Sequence, residues 1–273
     1  RQDVQDYLIG QIDRLLSENN IAFIKWDMNR NASEPGWEDA PGDPRELWVR
    51  YVSGVYRVWQ TLRERHPDVI WQSCSGGGGR ADMGILKLAD QIWVSDNTES
   101  LARLNIQEGF SQVYPANTME AWVTDAGRGS VPLKTRFHSS MCGTLGVGGH
   151  LLHWTEQERK QAAQLIATYK EIRPIIQLGD LYRLRSAQEN AVSAVQYVSK
   201  DRAETVVFTF RTYLPFPAQL PLIYLKGLDA EAIYEDTRTG KRKTGAGWMF
   251  TGVQTNVENT QSSVMHLKRI VDV

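Results

Sequence analysis

Cysteine is scarce in this 273-residue sequence, which has only Cys74 and Cys142, and that excludes a disulfide framework as the source of its stability. Both lie in mostly apolar segments, which fits a reducing compartment, so the expected location is cytoplasmic. Charge of one sign is also lacking. With 31 Lys+Arg against 32 Asp+Glu the formal net charge is -1, and no like-charge block reads as a nucleic-acid arm or an acidic tail. Long apolar runs are missing too: none reaches the ~20 residues of a membrane helix. Residues 1–20 read as a polar amphipathic helix, without the charged start, apolar centre and cleavage site of an export signal. Neither nucleic acid nor a membrane is expected as a partner. His150 and His153 are three apart, but no further ligand cluster accompanies them, so they read as structural or sugar-contacting residues, not a metal site.

What is present is the composition of a globular protein with a sizeable core, 41% hydrophobic and 23% charged. The nine tryptophans are a high count. Most tryptophans are core, and their faces also serve as platforms for the apolar side of a sugar ring.

Residues 3–20 place Val4, Leu8, Ile12, Leu15 and Leu16 at helical spacing, and the apolar run 21–26 follows as a strand. Residues 44–64 repeat the helical pattern through Leu47, Tyr51, Val55, Val58 and Leu62, ahead of a short strand at 69–71 that enters a glycine-rich turn. A short helix at 83–89 precedes a strand at 91–94. Further strand positions are expected at 121–123 and within 139–148, and a periodic helix at 156–172 is expected to end at Pro174.

Helix-to-strand units whose strands turn polar at their C-terminal ends predict an α/β fold with a parallel array, most naturally a (β/α)8-type barrel. From about residue 180 the pattern changes to short alternating strands at 194–198, 205–210, 222–225 and 264–267, with a turn at 236–240. The predicted domains are a catalytic barrel portion, 1–178, and a small antiparallel β-sandwich, 179–273. A closed eight-stranded barrel takes ~250 residues, so the barrel is expected to be incomplete in this chain and the sequence to be a piece of a longer protein.

The run Lys25-Trp26-Asp27-Met28-Asn29-Arg30 ends the first strand with a carboxylate, and Ser95-Asp96-Asn97-Thr98 ends the third. Carboxylates from non-adjacent barrel strands converge over one mouth. A pair ~5 Å apart suits a retaining glycosidase, one acting as nucleophile and the other as general acid/base. The competing reading of each aspartate is a helix cap or a turn former. Strand alternation puts Lys25 and Asp27 on one face, where the cation keeps the carboxylate ionised and can donate to a sugar hydroxyl. Between the two carboxylates lies Cys74-Ser75-Gly76-Gly77-Gly78-Gly79-Arg80. It lacks the Gly-Lys-Ser/Thr ending of a phosphate loop and ends in Arg80 where a linker would continue in Ser and Gly. It reads instead as a loop bare of side chains, so that a ligand approaches its amides closely. The glycines at 143, 146, 148 and 149 match a dinucleotide fingerprint poorly and suit close backbone passage.

Together, in this order and spacing, these three segments resemble the α-galactosidases of glycoside hydrolase family 36. The runs 103–109, 114–115 and 179–184 extend the resemblance over nearly the whole chain. It implies that Asp27 is the nucleophile and Asp96 the acid/base of a double displacement releasing terminal α-linked galactose from oligosaccharides such as melibiose or raffinose. It also implies that Lys25, Cys74 and a backbone amide near Gly77 contact galactose hydroxyls. Asn29 and Arg80 complete the expected substrate-binding set, and no metal or organic cofactor is implied.

Departures from the family pattern are Gln72 where a Glu is common and Glu99 where an Asp is common. The large N-terminal β domain, the first barrel strands and the paired-aspartate galactose motif of such enzymes are not found here. The alternatives are an α-galactosyl transferase of the raffinose or stachyose synthase type and a catalytically silent carbohydrate-binding fragment. An unpaired barrel edge is a physical motive for a homo-oligomer.

Overall fold

The computed structural model describes residues 1–29, 36–214 and 219–270, and these form two compact units, Arg1–Asp96 and Asn97–Val273. Arg30 therefore lies outside the described residues.

In the first unit α1 (Gln2–Glu18) leads into β1 (Phe23–Trp26). A 3-10 turn, Pro44–Glu46, then opens α2 (Leu47–Arg65), with the Asp43 carboxylate accepting from the Arg45 amide at the turn's start. β2 (Ile70–Ser73) and β3 (Gln91–Trp93) follow. The three strands run parallel, with Trp26 paired to Ser73 and Ser73 to Ile92. α2 packs by Val58, Trp59 and Leu62. The fully buried Trp59 ring stacks on Trp26 at 5.6 Å and tilts against Trp71 at 5.3 Å, so the helix clamps β1 and β2 through an aromatic layer.

Two helical expectations change here. On α1 the buried residues are Ile9 and Leu16, while Val4, Leu8 and Leu15 stay exposed. The helix expected at 83–89 is a single 3-10 turn, Ile85–Lys87, whose entry is held by the Asp82 carboxylate accepting from Gly84 and Ile85. The chain turns into β3 before a second turn of helix can form.

The second unit begins with α3 (Ala102–Phe110) and a parallel pair, β4 (Met119–Val123) and β5 (Thr144–Val147), with α4 (Leu133–Ser140) between them. The long helix α5 (Glu156–Leu178) starts at a capping box formed by Thr155 and Glu158. It continues past Pro174, contrary to the sequence expectation. A proline inside a helix costs ~3 kcal/mol, but Ile175 and Ile176 beyond it are 6% and 0% exposed, and burying each contributes ~1.5–3 kcal/mol.

The chain then forms β6 (Asp180–Arg185), β7 (Val192–Val198), β8 (Glu204–Arg211), β9 (Leu222–Ile223), β10 (Ile233–Asp236), β11 (Arg242–Thr244), α6 (Gly245–Thr251), β12 (Val253–Gln254) and β13 (Ser262–Arg269). Six of these strands make one antiparallel sheet in the order β11-β10-β13-β8-β7-β6, and β9 pairs with β12. Alternation along β8 sends Val206, Phe208 and Phe210 into a core with Phe137 of α4 and Ile172, Ile175 and Ile176 of α5. Val207 faces the other way, onto Ile223, Leu225 and Trp248. The large sheet is thus covered by helices on one side and by the small strand pair with α6 on the other.

Both units carry parallel strands in β/α succession, and the described residues hold five such strands, part of a (β/α)8-type barrel followed by a β domain. Among the described residues no helix is long and apolar enough to cross a membrane.

Candidate active site

The first unit carries all the predicted site residues, and they gather where β1, β2 and β3 end. Strand pairing persists beyond the regular strands: the Cys74 amide donates to the Trp26 carbonyl at 3.1 Å and the Met28 amide to the Cys74 carbonyl at 3.2 Å. Asp27 therefore leaves a backbone held on both sides of it. Its side chain is exposed. Partial desolvation pushes the Asp27 carboxyl up, but donation from the Cys74 thiol, the Asn29 side chain and the Met28 amide, with the nearby Lys25 charge, outweighs this and holds it below the ordinary carboxylate value. Cys74 can donate because it keeps its proton. Burial first, and Asp27 beside it, push the thiol up to about 11, against the Gly77 amide that donates to the sulfur.

Asn29 joins the carboxylate to the glycine loop. Its amide nitrogen donates to Asp27 Oδ2 at 2.9 Å, and its carbonyl oxygen accepts from the Gly76 amide at 2.9 Å. Ser75 Oγ donates to the Met28 carbonyl at 2.8 Å. The sequence expectation was that the bare loop lets a ligand approach; what comes closest to Gly77 and Gly78 is the chain carrying Asp96. A Cβ on Gly77, where φ is +83°, would stand 2.8 Å from the Ser95 Cα, and one on Gly78 would stand 2.8 Å from the Val94 carbonyl oxygen. Gly76 has open space around it, with nothing within 4 Å of its missing Cβ.

Arg80 turns its guanidinium under the loop. Nη2 donates to the carbonyls of Trp26 at 2.6 Å and Cys74 at 3.1 Å, Nε donates to Ser73 Oγ at 3.1 Å, and the group lies over the Trp59 ring at 5.6 Å. The residues just before Asp27 and at Cys74 thus share one cation as an anchor. Lys25 sits with its ammonium 4.6 Å from the centre of the Trp93 ring.

Asp96 is exposed, and its Oδ1 accepts from the buried Trp93 indole N–H at 2.9 Å. Trp93 was absent from the sequence-level set; the available signal was an indole three residues before a strand-end carboxylate. The site thus offers one carboxylate held ionised at the end of β1 and a second, on a separate tether, at the end of β3. That pairing is the requirement for glycosyl transfer through a covalent intermediate.

Elsewhere, in the second unit, the His150 and His153 rings stack at 3.8 Å, and the His150 amide donates to Asp125. Among the described residues no group of three or more His, Cys, Asp or Glu side chains is arranged to hold a metal ion. Glu99 accepts from the Leu101 and Ala102 amides at the start of α3, the work of a helix cap. Gln72 donates to the Gln91 side chain.

The family model for melibiase matches residues 1–179, and that for the glycosyl hydrolase family 36 C-terminal domain matches residues 192–267. The chain is similar to alpha-galactosidase AgaA of Geobacillus stearothermophilus, 41% identical over 240 residues, covering 86% of this chain and 33% of that protein. The chain spans about a third of the length of the curated relatives it matches. Among solved structures, a variant of AgaA in complex with raffinose superposes with a TM-score of 0.93 at 38% identity, covering 99% of this chain and 38% of that one. Another AgaA variant, in complex with stachyose, gives the same TM-score, identity and coverage.

Proposed function

Because the chain belongs to glycoside hydrolase family 36, we propose that it carries the catalytic carboxylates of a retaining α-galactosidase acting on α-galactoside oligosaccharides. The observation that carries this reading is the environment of Asp27. Three donors and a neighbouring cation hold it ionised at a strand end, as a nucleophile requires, while Asp96 stands free of those donors on an indole tether.

In the proposed reaction Asp27 attacks the anomeric carbon of the terminal galactose. Asp96 gives its proton to the glycosidic oxygen as that bond breaks, and a galactosyl ester forms on Asp27. Asp96, now ionised, takes a proton from water, which attacks the same carbon and frees Asp27. Two inversions give net retention. Lys25 is the proposed donor to galactose hydroxyls, with Cys74 and Gly77 lining the same subsite and Asn29 and Arg80 holding Asp27 and its strand. Raffinose and stachyose, which the similar enzymes bind, are the proposed class of substrate.

We assign catalysis to residues 1–178 and a supporting β domain to 179–273, a division supported by the change of family match between 179 and 192. The two free, buried cysteines, one of which uses its proton at the site, favour the reducing cytoplasm.

The test is Asp27→Ala. Turnover should fall to background and return with azide, yielding a β-galactosyl azide of inverted configuration. Activity near wild type would overturn the assignment. Product analysis with excess sugar acceptor separates hydrolysis, which releases free galactose alone, from transfer.

A further inference from the structure

We propose that Trp93 is a positioning residue that joins the two carboxylate sites and decides which oxygen of Asp96 carries the catalytic proton. The inference rests on the retaining-galactosidase reading above. Trp93 ends β3 and is 2% exposed. Its indole N–H donates to Asp96 Oδ1 at 2.9 Å, while its ring face receives the Lys25 ammonium at 4.6 Å. Lys25 is in turn one of the groups whose charge holds Asp27 ionised.

The chemistry follows from the indole being a donor only. Of the two oxygens of a protonated carboxyl the carbonyl oxygen is the stronger acceptor, so the indole N–H favours the form in which Oδ1 stays unprotonated and the proton resides on Oδ2. Asp96 otherwise extends from an exposed loop with two free side-chain torsions, and an unheld carboxyl would present either oxygen. Fixing Oδ1 to a buried ring leaves Oδ2 as the atom that protonates the leaving oxygen and later accepts from water. The backbone beneath is fixed as well, because Gly77 and Gly78 press against the Val94–Asp96 segment. The same ring that orients the acid also seats the cation beside the nucleophile, so one side chain registers both halves of the double displacement.

Trp93→Phe keeps an aromatic ring near Lys25 and deletes the N–H together with the rest of the pyrrole ring. Loss of a hydrogen bond to a charged group should lower kcat/KM, which reports the galactosylation step alone, about tenfold on galactosides with sugar leaving groups, which need the proton. Aryl galactosides with nitrophenolate leaving groups should lose less than about twofold in kcat/KM. Equal losses on the two substrate classes, or none on either, would overturn the proposal.

A second measurement leaves Trp93 intact, so it stands even where Trp93→Phe fails to fold. In Asp96→Ala the Trp93 indole proton resonance should move upfield and exchange faster with water; an unchanged resonance refutes the tether. The same variant separates the two ideas. Turnover unaffected by Asp96→Ala sinks the galactosidase reading, whereas a lost activity with an unmoved indole resonance sinks only the role of Trp93.

Discussion

Gly77 lies against the backbone that carries Asp96: a Cβ at this position would stand 2.8 Å from the Ser95 Cα and 3.1 Å from the Asp96 nitrogen. The glycine loop is therefore a spacer between two strand ends, and the separation of the candidate acid/base from the β2 strand end is set by the lack of a side chain. Gly77→Ala should destabilise the fold by roughly 2–5 kcal/mol, combining left-handed strain with overpacking, and should lower turnover on substrates with poor leaving groups. Gly76→Ala should cost only ~1–2 kcal/mol, since its φ of +53° brings strain but its surroundings are open. Thermal denaturation of the pair checks this, and equal losses would contradict the spacer role.

Asn29→Ala should move the acid limb of kcat/KM to higher pH. Its side chain donates to the charged form of Asp27, one of the contacts that hold that carboxyl below its ordinary value. With the donor gone Asp27 takes up a proton at higher pH, and the ionised nucleophile is lost sooner as pH falls. A limb that stays in place or moves down would show that Asn29 does not act on Asp27.

Arg80→Lys should reduce kcat more than it raises KM and should cost ~1–3 kcal/mol of stability. One guanidinium reaches the Trp26 and Cys74 carbonyls and Ser73 Oγ together, and an ammonium has no fork to reproduce this. A pure KM effect, with stability unchanged, would instead make Arg80 a direct sugar ligand.

Helix α4 has its own pH signature in His138, where it meets Ser262 of the β domain. Burial, and secondarily the Lys134 charge, push this imidazole down to about 3, and its Nδ1 lies 2.8 Å from Ser262 Oγ. In the unfolded chain a histidine takes up a proton below ~6.5, but the folded protein does not until far lower pH. Stability should therefore fall as pH drops below ~6.5, by up to ~1.4 kcal/mol per unit. His138→Asn should flatten that slope between pH 7 and 5 in urea unfolding, and an unchanged slope would assign it to other groups.

The parallel strands were legible because each is a short apolar run that turns polar at its C-terminal end, as at Trp26 and Asp27. The helices at 2–18 and 47–65 were legible from spacing, although the spacing did not reveal which residues of α1 are buried. Pro174 misled because local propensity opposes a helix there while the burial of Ile175 and Ile176, a tertiary contribution, favours it. α3, α4 and α6 went unread: α3 buries Arg103 and Gln107 beside Leu104, and α4 buries Thr135, Arg136 and His138 beside Phe137, so both show little apolar periodicity.

The sequence alone determined the chemistry available at this site: two carboxylates at strand ends, a lysine and a thiol near the first, and a glycine loop between them. Those are properties of residue type and order. Only the tertiary structure decided what each group does with its neighbours. Cys74 and Asn29 donate hydrogen bonds to Asp27, Arg80 turns to backbone carbonyls, Gly77 makes room for the Asp96 backbone, and Trp93 binds one oxygen of Asp96. The contacts of Cys74 with Asp27, Arg80 with Trp26 and Gly77 with Ser95 join residues far apart in sequence, and strand register and packing create them; those of Asn29 with Asp27 and Trp93 with Asp96 span two and three residues but need side-chain directions that spacing alone does not fix.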